Sequence, residues 1–200
     1  MAEGLLGLGI LPERAELIRR ARGLFDLLPM ASQGEPELLL SRMKDSNIYG
    51  RKAAGSGVTD AAIDKAIELV GDTNPVVKPL LKLTALKESK FGTDPNTFNF
   101  RVIPEGTVGH GGIMQMGDRS FRNIVNSDKK DIKNILSRLK TQGIDFKKAV
   151  DDGKIREFLE VPVNSVLAAR LHYRMNNRPL PKVGEISKYY EDIYAPQTKK

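Results

Sequence analysis

The segment LLKLTALKESKFG (residues 80–92), followed after a loop by GHGGIMQMGDRSF (109–121), organises this chain. Leu80, Leu81, Thr84, Ala85 and Glu88 recur at i, i+3 and i+4. That spacing places them on one helical face. Glu88 therefore ends an apolar stripe, and Gly92 just beyond it suits a helix stop. A carboxyl group on the buried face at a helix C-terminus has two reasons to hold its proton. Desolvation disfavours the charged form, and so does the negative end of the helix dipole. A carboxylic acid kept protonated near neutral pH is what a general acid requires.

Outward from this segment the pattern is largely helical. On the N-terminal side, Thr59 suits an N-cap. Ala62, Ile63, Ala66, Ile67 and Val70 follow at helical spacing, ended by Gly71. Asn74-Pro75 opens the Glu88 helix, with Pro79 accommodated in its first turn. On the C-terminal side, Asp118 is expected to cap a helix through Ile124 and Val125. Ser127 is expected to cap another, through Ile132, Ile135, Leu136 and Leu139 to Gly143. Phe146, Ala149 and Val150 mark a shorter helix. Pro162 opens a long one carrying Val163, Val166, Leu167, Leu171 and Met175. The last carries Ile186, Tyr189, Tyr190, Ile193 and Tyr194. Between residues 93 and 112, alternation from Thr97 to Ile103 and a Pro-Glu-Gly turn at 104–106 suggest a small irregular β-hairpin. The fold class expected is mainly α with one small β element.

Residues 1–58 read as a helical N-terminal extension, and residues 59–200 as the compact domain. Pro12 suits a helix N1 position, and Leu17, Ala21, Leu24, Phe25 and Leu28 then make an amphipathic stripe. This helix fits a docking surface for another protein better than a membrane surface, because Glu13, Glu16 and Asp26 dilute its basic face. Gly50 to Gly57 (GRKAAGSG) reads as a flexible boundary. The N-terminus has no basic n-region and no small-residue cleavage site, so no signal peptide is expected. No apolar run approaches spanning length.

Composition narrows the chemistry. The 200 residues contain no cysteine and two histidines, His110 and His172. No disulfide framework, metal site or cofactor is expected. The net charge of +7 is uneven: residues 1–128 hold 16 basic and 16 acidic side chains, residues 129–200 hold 16 and 9. A basic half suits a polyanionic partner such as nucleic acid, a membrane surface or an anionic cell wall, or simply a solvated surface. No specific nucleic-acid motif is present.

Glu88-Ser89 followed by Gly112-Ile113-Met114-Gln115 resembles the paired signature of the lytic transglycosylase and goose-type lysozyme superfamily. That family carries an ES dipeptide ending a buried helix, a loop, and then G-(L/I)-(M/L)-Q. The loop here is longer than usual, and the resemblance covers roughly residues 75–195. It implies a lysozyme-like fold and an enzyme that cleaves the β-1,4 bond between N-acetylmuramic acid and N-acetylglucosamine in peptidoglycan glycan strands. It makes Glu88 the sole catalytic acid/base. Ser89, Gly112 and Gln115 become cleft residues, with the Gln115 amide able both to donate to and accept from a sugar. Asn164 is similar to an Asn early in a later family helix. The Tyr-rich tail resembles the final helix of phage tail-associated members, with Tyr189 taken as its cleft residue.

The family's A-Y-N-A-G motif is missing, and Thr107 is the nearest match to a hydroxyl residue ahead of the glutamine loop. Asp94, Glu105 and Asp118 are the acids available as a second carboxylate, which ordinary glycoside hydrolysis needs. The resemblance further implies a virion-associated enzyme acting in the host periplasm, bound to other virion proteins through the extension. The alternatives are a hydrolytic muramidase acting as an endolysin from the host cytoplasm, and a structural virion protein on the same scaffold.

Overall fold

The computed structural model describes residues 47–100 and 109–195. Their secondary structure is α1 (Ser56–Val70), α2 (Val77–Ser89), α3 (Asp118–Val125), α4 (Lys130–Thr141), α5 (Phe146–Asp151), α6 (Ile155–Leu159), α7 (Pro162–Met175), a 3-10 turn (Val183–Glu185) and α8 (Ile186–Ile193). The described residues are mainly α. Their one β feature is an isolated antiparallel bridge between Gly111 and Met116.

α7 is the axis of the packing. Pro162 occupies its first turn, where a missing N–H costs nothing. Val163, Val166, Leu167, Ala168, Ala169 and Leu171 are all fully buried, so this helix is enclosed by protein on most sides. α1, α3, α4 and α6 pack on it, and α2 lies between α1 and α8. Phe121, Phe146 and Phe158 close the core below α3, with ring centroids 4.7–5.3 Å apart. Those separations suit aromatic pairing.

Two polar devices hold the helices in place. The C-terminal carbonyls of α1 at Leu69 and Val70 accept from the Arg138 guanidinium at 3.0 and 2.9 Å. Just beyond, Asp72 accepts two bonds from Arg170 at 2.5 and 2.9 Å and one from Arg174 at 3.1 Å. The second device is central to the site. Thr84 donates to the Leu80 carbonyl, so its oxygen is left to accept the Tyr173 hydroxyl at 2.8 Å. This bond ties α2 to α7 in the interior.

Three expectations change. The first concerns the boundary, which falls between Ser46 and Asn47 rather than at residue 58. Ile48 is fully buried. Arg51 and Lys52 both pair with the buried carboxylate of Glu160, and the Lys52 amide donates to the Glu160 carbonyl at 2.7 Å. The Gly-rich stretch is thus largely exposed chain anchored to the domain through Arg51, Lys52 and the Gly55 amide, which donates to the Phe91 carbonyl. The expected extension helix lies outside the described residues.

Helix starts form the second change. α1 begins at Ser56, which leaves Thr59 buried within it and donating to the Phe91 carbonyl. Asp118 is the first residue of α3, not its cap, and bonds Arg122. α4 starts after Ser127, whose hydroxyl accepts from the Lys129 amide. α6 is an additional helix.

The third concerns the expected hairpin, which is described only in part: residues 93–98 form turns and bends, and 101–108 lie outside the described residues.

α2 ends earlier than Gly92, on Lys90 in the left-handed conformation at φ 51° and ψ 49°. Phe91 and Gly92 follow with φ of 61° and 83°. Left-handed backbone is costly for residues with a Cβ. Lys90 is exposed. Lys90→Gly is therefore expected to raise stability by about 1 kcal/mol, measured as a shift in urea midpoint at unchanged slope.

Candidate active site

Ser89 is the joint on which the site is built. It is buried at the end of α2. Its hydroxyl donates to the Ile113 carbonyl at 2.6 Å and accepts from the Gly92 amide at 2.8 Å. One side chain thus fastens the helix end to the glycine-rich loop. On the other side of that loop the Met114 amide donates to the Ser165 hydroxyl at 3.1 Å. Gly112, at φ 74°, sits so close to α6 and α7 that a Cβ would lie 2.4 Å from the Leu159 carbonyl and 2.8 Å from the Ser165 oxygen. At Gly111 a Cβ would enter the Phe100 ring. Both glycines are required by packing of the loop on its own core. Ser89 and Gly112 place the site rather than face a ligand.

Glu88 is half-buried and faces a cleft of about 450 Å³. Lys87, His110, Gln115, Ser120 and Tyr190 also line this cleft. The Tyr190 hydroxyl donates to Glu88 Oε1 at 2.5 Å. Burial pushes the Glu88 carboxyl above the ordinary carboxylate range, and the Tyr190 hydrogen bond and the nearby His110 charge only partly offset it. Burial also raises Tyr190, as does its contact with Glu88, so it stays a phenol and a donor. With Oε1 accepting from Tyr190, the acid proton of Glu88 belongs on Oε2.

Gln115 meets Glu88 across the same cleft, but its amide is half committed. Its Nε2 donates to the Thr97 and Gly112 carbonyls at 3.0 and 2.9 Å. Two carbonyl partners fix the amide orientation. The expectation that it both donates and accepts is narrowed, because both amide hydrogens are used and Oε1 is left to accept. Gln115 itself has φ 47°, left-handed backbone that is costly for a residue with a Cβ.

The far wall is α8. Tyr190 and Tyr194 stack along it with centroids 6.1 Å apart. The Tyr194 hydroxyl donates to the Met114 carbonyl at 2.6 Å, and His172 packs edge-on to Tyr194 at 5.5 Å. Tyr189 faces elsewhere. It lies in a separate hollow with Arg178 and Lys188 and donates weakly to the Arg178 carbonyl at 3.5 Å. The cleft tyrosine is Tyr190, one residue on from the expected one. Asn164, in the first turn of α7, is half-buried and does not line the cleft.

Sequence reasoning passed over several cleft residues, among them Tyr190, Tyr194, His110, His172, Lys87 and Ser120. The i, i+4 spacing of Tyr190 and Tyr194 was the available signal that they share a face. His110 carried a signal too, in its position directly before Gly111-Gly112.

Among the described residues, Glu88 is the only carboxylate lining the cleft. Asp118 is buried against Arg122, and Asp94 accepts from the Asn96 amide. Glu105 and Thr107 lie outside the described residues. No described helix is long and apolar enough to cross a membrane.

The Tyr190 bond favours the ionised form of Glu88. Tyr190→Phe should therefore move the Glu88 pKa further upward, with sign set by the lost donor. Any reaction needing the protonated acid should keep its rate to higher pH in this variant. A profile of kcat/KM against pH checks the direction of that limb.

No protein-family model, no curated protein and no solved structure matches this chain. The likeness in Glu88-Ser89 and Gly112–Gln115 therefore rests on those residues alone.

Proposed function

We propose that this protein cleaves the glycan strands of peptidoglycan as a lytic transglycosylase, on a lysozyme-like α fold. The observation that carries this reading is Glu88, a carboxyl held toward its protonated form in a cleft whose wall includes Gln115. Glu88 Oε2 gives its proton to the glycosidic oxygen, and the C1–O bond breaks. The acetamido oxygen of N-acetylmuramic acid stabilises the positive charge that develops at C1. Glu88, now a carboxylate, takes the proton of the muramyl C6 hydroxyl, whose oxygen closes on C1. The proton returns to Glu88, and no water is consumed. Tyr190 orients the carboxyl through both steps, and Gln115 Oε1 accepts from a sugar hydroxyl or amide N–H.

A single lining carboxylate among the described residues supports this route over the two-acid hydrolytic one. Mass spectrometry of soluble fragments from purified peptidoglycan tests it. Anhydromuramyl ends are expected. Reducing ends alone would convert the reading to a muramidase, and release of nothing from any wall chemotype would sink it.

The same reading places the enzyme in a bacteriophage particle that opens the wall locally during DNA entry, held there by residues 1–46. Immunodetection in purified particles tests that placement, and recovery only from lysed cells would favour an endolysin.

A further inference from the structure

α2 carries three lysines. Lys78 and Lys82 pair with Asp64 and Asp60 of α1 and hold the two helices together. Lys87 is different. It lines the cleft beside Glu88, is exposed, and makes no ion pair or hydrogen bond among the described residues. A cation in the last turn suits the helix dipole on any face of the helix. That does not explain why this one is turned to the cleft.

The charge set around it sharpens the question. Glu88 is the only described acid lining the cleft, and its proton cancels its charge in the form poised to react. Lys87 then stands unneutralised, with His110 as a second nitrogen donor on the same surface. Gln115 Oε1 and the Ser120 hydroxyl offer neutral contacts only. A site with a free ammonium group, a second nitrogen donor and a spare acceptor is complementary to a ligand that brings its own anion.

We infer that the cleft takes an anionic sugar chain and that Lys87, seconded by His110, binds a carboxylate carried by that chain. The inference deepens the glycan-cleavage reading and rests on it. In peptidoglycan the carboxylate has two sources, the lactyl group of a peptide-free muramyl sugar and the side-chain or terminal carboxylates of the stem peptide. Both present the same chemistry to an ammonium group.

Binding by the full-length Glu88→Gln protein separates these possibilities without turnover. The probes are soluble glycan strands stripped of peptide, the same strands with carboxyls converted to methylamides, and strands retaining their stem peptides. The stripped strand is expected to bind about threefold to tenfold more tightly than its methylamide form. Adding Lys87→Ala should remove that difference and leave methylamide binding unchanged, while Lys87→Arg should restore most of it. A larger Lys87 effect on peptide-bearing strands would place the carboxylate on the stem, and a larger effect on stripped strands would place it on the lactyl group. Equal loss on charged and amidated strands, or no loss on stripped and peptide-bearing strands alike, overturns the inference. Wild-type fragment release, measured in parallel, tells which reading has failed. Release with an indifferent Lys87 removes only the anion site, whereas no release and no binding removes both.

Discussion

Glu88→Gln should abolish lysis of purified peptidoglycan while leaving the protein folded and more resistant to heat at neutral pH. The catalytic part follows from the proposed route, in which one carboxyl serves as acid and then as base. Glutamine keeps the shape and can still accept from Tyr190, yet it carries no transferable proton. A loss of about 10³-fold in rate is expected, read from dye release or a zymogram.

The stability part has the opposite sign. Burial raises the folded-state pKa of Glu88 above its unfolded value. The native state therefore binds the proton more tightly than the unfolded chain does. The stabilisation from that proton is complete below the ordinary value of about 4.3. It is lost as pH rises through the folded-state pKa. Above that folded-state pKa the wild type carries a partly desolvated charge that the variant lacks. The variant should melt higher at pH 7, with the difference shrinking below about pH 4. Wild-type clearing by the variant, or a melting difference that ignores pH, would remove Glu88 from its assigned role.

The second large effect is structural. Asp72→Ala should lower stability by about 3–5 kcal/mol, or on the order of 10 °C in melting temperature. Asp72 and Arg170 have side chains only 8% and 4% exposed, joined by two hydrogen bonds. Removing the acid leaves a guanidinium buried in the core side of α7 without a counter-charge. That differs from Lys78–Asp64, whose side chains are 45% and 57% exposed. Breaking such a surface pair changes little. A double change, Asp72→Leu with Arg170→Met, removes both charges and should recover most of the loss. If Asp72→Ala melts like the wild type, or the double variant is no better than the single one, the buried pair does not lock α1 to α7.

The long helices were legible because their signals are local. Pro162 followed by Val163, Val166, Leu167 and Leu171 announces a buried helix without reference to anything distant. Leu80, Leu81, Thr84 and Ala85 do the same for α2, and all four are fully buried. What escaped was set by contacts between remote residues. Gly50 to Gly57 has the composition of a linker. Contacts with distant residues make it part of the fold: Arg51 pairs with Glu160, 109 residues away, and the Gly55 amide donates to the Phe91 carbonyl. α6 has five residues, too few to display a period.

In the candidate site, Glu88 and Gln115 were legible as a pair. The correct tyrosine was not. Tyr189 and Tyr190 are adjacent on a helix and so point about 100° apart. Which of them meets Glu88 depends on how α8 docks against α2. The half-committed amide of Gln115 was equally hidden, because it depends on where the Thr97 carbonyl comes to rest.

The Ser89 hydroxyl has a consequence for how such a protein can diversify. It clamps the acid-bearing helix end directly to Ile113, while the Gly111–Met116 bridge closes the other segment on itself. The spacing between Glu88 and Gln115 is therefore set by these two contacts rather than by how much polypeptide connects them.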